Sequence, residues 1–351
     1  EMTVKIGMIG AGGIAGHNCR DIKRHPQGLI VAVADPNEQR AQALKKDFNI
    51  QRLYKSAKDL IADKDIDAVS ISVPTCSHAE IAVAALKAGK HVLLDKPFAL
   101  NAKEALAVIA AAKKSKKVFI LGMNQRFNQD SQTIKSIVER GDLGEIYHAK
   151  AYWLRRSGIP KLGSWFSSKK LAAGGAMLDI GVHMLDLCLY LINNFEPVTV
   201  SAFTASKFGP RGLGGGGWGM SEGAKYQFDV DDFAAGLIRM KNGTTVSVEA
   251  AWAMHMEMPN RNNVEIFGTN AGACVYPAKV FRFGKREGEY EVINPQGVRG
   301  PYSNINRFSN WIDVILGNAK PCTTADQALT VQRILDALYT SAKAKKEVRV
   351  A

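Results

Sequence analysis

The chain has 351 residues, enough for two domains with substantial cores, and its 46% hydrophobic and 23% charged content is ordinary for a globular protein. No apolar run is expected to reach membrane-spanning length, and the net charge of +13 comes from lysines spread over helix faces. No aromatic–basic interleaving marks a nucleic-acid surface, so no nucleic-acid or membrane partner is expected. The five cysteines (Cys19, Cys76, Cys188, Cys274 and Cys322) are scattered and odd in number. They fit inert thiols in a reducing, cytoplasmic compartment rather than a disulfide framework. Met2 reads as the native start.

The opening run Thr3-Val-Lys-Ile-Gly-Met-Ile-Gly10-Ala11-Gly12-Gly13-Ile14-Ala15 predicts a strand, a glycine-rich turn and a helix start. A second strand over 29–34 ends at Asp35. Gly10 permits the tight turn, Gly12 lets the backbone approach a pyrophosphate, and Ala15 allows close helix–strand packing. Phosphate charge then meets the free N–H groups and the positive dipole end of a helix. Asp35 is placed to accept from ribose hydroxyls and to oppose a 2′-phosphate, which favours NAD over NADP. Arg40 is the nearest cation able to turn toward such a phosphate.

Strand and helix continue to alternate. A helix is expected over 37–48, a short strand over 52–54 and a helix through Leu60 and Ile61. The nearly unbroken apolar strand 68–73 suits a sheet covered on both faces. A helix over 77–88 stops at Gly89, a C′ glycine. A strand over 91–94 leads into Asp95-Lys96-Pro97, and Asn101 with Glu104 forms a capping box for a long alanine-rich helix. A sixth strand over 118–122 closes a doubly wound parallel sheet, giving a dinucleotide-binding domain over 1–123.

The pattern then changes. A helix carrying Ile134, Ile137 and Val138 ends at Gly141, a long strand covers 145–154, and a helix covers 174–192. Strands follow over 198–203, 232–240, 244–252, 263–267 and 280–283, with Lys241-Asn242-Gly243 a hairpin signal. Helices are expected around Trp311 and over 325–344. The second domain, 124–351, therefore reads as α+β with a largely antiparallel open sheet, whose free face suits a homodimer or homotetramer. The glycine-rich run within 206–223 reads as a mobile loop, or alternatively as a lid or intersubunit arm anchored by Trp218.

Ligands in open α/β sheets bind beyond the carboxyl ends of strands. Those ends here carry Gly10, Gly12, Gly13 and Ile14, then Asp35, then Pro74-Thr75-Cys76-Ser77-His78, then Asp95-Lys96-Pro97. Pro74, Thr75, His78, Asp95, Lys96 and Arg126 are grouped with the cofactor site. Lys96 follows a buried strand directly, where its ammonium can polarise a substrate hydroxyl or carbonyl. In the second domain Asp179, His183 and Asp186 lie on one stripe of an otherwise apolar helix. His183 is the group whose pKa suits proton exchange near neutrality. No further His or Cys lies at ligand spacing, so no metal is expected. Arg155 and Trp165, near Arg156 and Lys161, contact substrate oxygens or, alternatively, pair with acids across an oligomer.

Together, "AGKHVLLDKPFAL", "GGAMLDIGVHMLD", "VDDFAAGLIRMKNG" and the opening glycine turn resemble the glucose–fructose oxidoreductase/inositol dehydrogenase/rhizopine-catabolism (Gfo/Idh/MocA) family. The resemblance runs nearly end to end. It implies an NAD(P)-dependent enzyme oxidising a secondary alcohol of a sugar or cyclitol, with Lys96, Asp179 and His183 as its catalytic lysine, aspartate and histidine. One departure is Asp95-Lys96-Pro97 where the family has Glu-Lys-Pro. The segment "YWLRRSGIP…GSWF" resembles members acting on pyranosides, including glycoside 3-dehydrogenases. Two further outcomes share these residues: a lyase, epimerase or hydrolase that recycles tightly bound NAD through transient C3 oxidation, and a non-catalytic NAD-binding regulator.

Overall fold

The computed structural model describes residues 2–221 and 228–351, so Glu1 and the last part of the predicted 206–223 loop lie outside them. Two compact units emerge. Unit 1 comprises Glu1–Met123, Lys170–Ala172 and Ile305–Gln332, and unit 2 comprises Asn124–Lys169, Ala173–Asn304 and Arg333–Ala351.

Unit 1 alternates β1 (Val4–Ile9), α1 (Ala15–Ile22), β2 (Gly28–Ala34), α2 (Glu38–Phe48), β3 (Arg52–Tyr54), α3 (Ala57–Ala62), β4 (Ala68–Ile71), α4 (His78–Lys87), β5 (His91–Leu94), α5 (Ala102–Ser115) and β6 (Phe119–Leu121). All six strands are parallel, in the order β3-β2-β1-β4-β5-β6. The reversal of order between β1 and β4 is the switch point at which such sheets open a ligand crevice. The helices start where local chemistry says they should. Asn37 accepts from the Arg40 N–H and Asn101 from the Glu104 N–H, each relieving an orphan donor of the first turn. Glu104 closes its box one residue early, accepting from Leu100 N–H rather than from Asn101.

Unit 2 begins with α6 (Gln129–Glu139), β7 (Ile146–Arg155) and the short α7 (Lys169–Ala172), whose last three residues belong to unit 1. Met177–Gly181 then form one turn of π-helix that runs directly into α8 (Val182–Ile192). The strands are β8 (Pro197–Ala205), β9 (Phe233–Met240), β10 (Thr245–Ala251), β11 (Asn260–Gly268), β12 (Gly272–Cys274), β13 (Lys279–Phe283) and β14 (Tyr290–Ile293). The Lys241-Asn242-Gly243 turn joins β9 and β10 as an antiparallel hairpin. Among the described residues the sheet runs β14-β13-β12-β11-β7-β10-β9-β8 and ends on a short edge strand at Val348–Arg349. Its pairs are antiparallel except β7 with β10. Contrary to expectation, one segment, Lys169–Ile192, is long and apolar enough to cross a membrane. As 94% of that apolar window is buried, it is a core helix of the fold.

The C-terminal part divides differently from the expected 124–351 domain. The helix α9 (Arg307–Leu316) belongs to unit 1, where Phe308, Trp311 and Ile312 are fully buried and join Ile6, Met8, Cys19, Ile22 and Val33 in one core cluster. The last helix, α10 (Ala325–Ala344), precedes the edge strand β15 (Val348–Arg349).

Candidate active site

In unit 1 the glycine turn has the geometry its sequence demands. Gly10 sits at φ +98°, and a Cβ there would lie 2.1 Å from the Ser72 carbonyl oxygen, so no other residue fits. The Asp35 carboxylate accepts from Ala11 N–H at 2.7 Å and from Asn37 N–H at 2.8 Å, which pins the turn to the end of β2. Ala15 is fully buried and opens α1, while Ile14 is exposed at its N-terminus. Beside this turn, Ser72 Oγ and Thr75 Oγ1 are buried without a hydrogen-bond partner among the described residues. Buried polar atoms of this kind are normally satisfied, so a polar ligand at the strand ends suits them. A dinucleotide therefore fits the residues present.

Three expected cofactor contacts turn out to be scaffold. His78 is buried, with Nδ1 2.8 Å from the Pro97 carbonyl and Nε2 2.9 Å from that of Val73; burial pushes its pKa down against the pull of both carbonyls. It ties the loop after β4 to the loop carrying Lys96. Asp95 is also buried. Its Oδ1 lies 2.6 Å from Arg307 Nη1, and its Oδ2 accepts from Asn18 Nδ2 at 3.2 Å. Arg307 in turn donates to the Gly122 carbonyl at 2.6 Å and to Asn18 Oδ1 at 2.8 Å. The short Asp95 side chain thus serves an inward network, which Glu would overfill, and Lys96, half-buried, follows it directly. Arg126 is the third correction. It is 0% exposed in unit 2, donating to both oxygens of Asp186 at 2.7 and 2.9 Å, with its guanidinium over the Tyr190 and Phe195 rings.

That bond also splits the Asp179–His183–Asp186 stripe. Asp186 is a buried partner of Arg126, whereas Asp179 lies in the π-turn and accepts from Trp252 Nε1 at 2.9 Å. π-Turns inside helices cluster at functional sites because the extra residue redirects side chains. The start of this helix is held by Asp231, which accepts from Gly175 N–H, Met177 N–H and the Tyr339 hydroxyl. Burial raises the Asp231 pKa while those bonds oppose the rise. A Cβ on Gly175 would lie 1.9 Å from the Asp231 carbonyl, so the backbone itself is part of the clamp.

The His183 ring meets Trp153 at a tilt of 50°, with centroids 5.9 Å apart. From there aromatic groups continue through unit 2. Arg155 lies 4.8 Å over Trp153 and 5.8 Å from Trp218, which meets Phe166 edge-on at 5.3 Å, and Phe166 stacks on Trp165 at 3.9 Å. Arg155 and Trp165, both expected to meet substrate, thus belong to one wall with His183. Arg156 instead donates to the Glu257 carbonyl. Sequence reading missed Trp153, Trp252 and the Asn18–Arg307 pair. Trp153 sits on β7, where alternation is broken locally, Trp252 lies just past the end of β10, and nothing in spacing links residue 18 to residue 307.

The described stretch of the glycine-rich run is docked rather than loose. Asp232 Oδ2 accepts from the Lys207, Phe208 and Gly209 N–H groups, Ile159 and Gly215 pair as a bridge, and Trp218 Nε1 donates to the Gly158 carbonyl at 2.9 Å. Among the described residues no cluster of metal-binding side chains occurs. Burial raises the Cys19 and Cys188 thiols to about 12, which keeps those two unreactive, and the five cysteines form no disulfide among the described residues.

Comparison with known proteins agrees with this geometry. The oxidoreductase family described by its NAD-binding Rossmann fold matches residues 4–123, and the GFO/IDH/MocA C-terminal domain matches residues 131–274. The D-glucoside 3-dehydrogenase of Escherichia coli (strain K12) is 30% identical over 99% of this chain and 97% of its own. The chain belongs to the Gfo/Idh/MocA family. Within that family, the myo-inositol 2-dehydrogenase of Thermotoga maritima is 27% identical over 85% of this chain and 80% of its own. A solved levoglucosan dehydrogenase in complex with NADH and L-sorbose superposes with a TM-score of 0.84 at 25% identity, covering 99% of both chains. Lys96 lies in unit 1 of this Gfo/Idh/MocA chain, and Asp179 and His183 lie in unit 2.

Proposed function

We propose that this protein transfers a hydride reversibly between NAD and a secondary alcohol carbon of a hexopyranoside or an inositol. The observation that carries the reading is His183, an imidazole beside Trp153 in an aromatic wall and one turn after Asp179, in a chain whose other unit holds a dinucleotide-type turn closed by Asp35. Flat aromatic faces suit the C–H surface of a pyranose or cyclitol ring. The relatives named for glucoside, levoglucosan and inositol support the same substrate class.

The N–H groups around Gly12 and the start of α1 would hold the pyrophosphate, and Asp35 would accept from ribose hydroxyls. The carboxylate there disfavours a 2′-phosphate, which supports NAD rather than NADP. When bound, NAD supplies the hydride acceptor. Nδ1 of His183 is buried, so Nε2 takes the hydroxyl proton. From the family resemblance, Lys96 would hydrogen-bond the reacting oxygen and favour its alkoxide character. Asp179, oriented by Trp252, accepts from an adjacent hydroxyl and fixes the ring.

Replacing Lys96 or His183 by Ala is expected to lower kcat by roughly 10²–10⁴-fold while NADH still binds, followed by nicotinamide fluorescence. Unchanged turnover in both variants would overturn the reading. It extends to a cytoplasmic homodimer or homotetramer joined through the open face of the second sheet, where Phe203 and Leu237 stand exposed; sedimentation showing a monomer would remove that extension.

A further inference from the structure

Arg155 ends β7 half-buried, its guanidinium carbon 4.8 Å from the centre of the Trp153 ring and 5.8 Å from that of Trp218. Its guanidinium has no hydrogen-bond acceptor or salt-bridge partner among the described residues, although it carries five N–H donors. Burial lowers its pKa, and the one group acting against that shift is Asp179, which works at a distance and is itself engaged by Trp252. Both indoles are fixed by the fold. Trp153 Nε1 is fixed on Asn260 Oδ1 at 2.8 Å and Trp218 Nε1 on the Gly158 carbonyl, while Lys161 N–H donates to the Trp218 carbonyl at 2.6 Å. With two indoles packed near the guanidinium, its N–H fork is what it can offer a ligand. A planar fork matches two coplanar oxygens carrying negative charge, which is the shape of a carboxylate. A neutral diol offers two acceptors too, but leaves the desolvated charge without a counter-charge.

We propose that Arg155 is a specificity-determining residue, held beside Trp153 and Trp218 to bind a carboxylate, so that the preferred substrates are uronic acid glycosides. This rests on the dehydrogenase reading and deepens it. His183 and Arg155 both border Trp153, at 5.9 and 4.8 Å from its ring, so a substrate held by the imidazole has the guanidinium as its neighbour on the same indole.

The matched probes are methyl glucuronide and methyl glucoside, compared by NADH formation and by quenching of tryptophan fluorescence. For the unaltered protein, kcat/KM is expected to favour the glucuronide by tenfold or more. In Arg155→Gln that ratio is expected to collapse toward unity, chiefly through the KM for glucuronide, and Arg155→Lys restores part of it. Glucuronide should quench fluorescence with a Kd that rises at least tenfold in Arg155→Gln. A preference for glucoside, or equal loss on both probes, overturns the proposal while leaving the dehydrogenase reading intact. Glucuronide-selective quenching that Arg155→Gln abolishes, without NADH formation on either probe, supports the carboxylate site and removes the dehydrogenase reading.

Discussion

Asp186→Leu is the most informative single change, because it separates a scaffold role for Arg126 from a cofactor role. In the native protein the Arg126 guanidinium is wholly buried and both its contacts to Asp186 are short, 2.7 and 2.9 Å. Removing the carboxylate strands a positive charge where water cannot reach it. Breaking a buried pair from one side costs about 3–5 kcal/mol, and a unit of this size loses roughly 2–4 °C per kcal/mol, so Tm should fall by roughly 10 °C. Arg126→Met with Asp186→Leu replaces both charges by apolar bulk and should recover most of that loss, to within about 1–2 kcal/mol of the native protein. Calorimetry on the four proteins of this cycle measures the coupling directly, with NADH affinity expected to stay constant in the double variant. The reasoning fails if the double variant is as unstable as the sum of the singles, or if it binds NADH markedly more weakly.

Gly10→Ala places a Cβ against the Ser72 carbonyl at a positive φ, and should abolish NADH binding as read by calorimetric titration. Asp232→Ala removes the acceptor shared by three strap N–H groups, so proteolysis within 206–221 should quicken while unit 1 melts unchanged. His91 has a pKa lowered to about 4, chiefly by burial, and its Nδ1 accepts from Val118 N–H, a bond that only the unprotonated nitrogen makes. Because the unfolded chain binds this proton more readily, the contribution is full above about pH 6.5 and is lost as pH falls toward 4. After discounting the ring's exposure, His91→Gln should flatten the acid side of the Tm–pH curve by roughly 1 kcal/mol at pH 5. A curve parallel to the native one would contradict this.

Much of the fold is written in short-range signals. The Gly10 turn, the caps at Asn37 and Asn101, and the Asn242-Gly243 hairpin each depend on the backbone needs of a few adjacent residues, so they can be read locally. The π-turn at Met177–Gly181 has no such mark, because one extra residue in a helix barely alters an apolar pattern. Asp179 and Asp186 look equivalent along the stripe, yet Asp186 pairs with an arginine sixty positions earlier while Asp179 accepts from the Trp252 indole. The strands β12 and β14 and the edge strand β15 are too short for alternation to declare them. His78 and Asp95 sit where a cofactor contact belongs in sequence, and only the carbonyls and Arg307 packed against them reveal their inward role.

The return of α9 to unit 1 has a consequence for synthesis. As the chain leaves the ribosome, the first 123 residues emerge with a gap where Phe308 and Trp311 belong, and Asp95 has no arginine beside it. The nucleotide-binding half is made first but finished last, so a chain cut short before residue 305 would carry an unfilled core and an unpaired buried carboxylate.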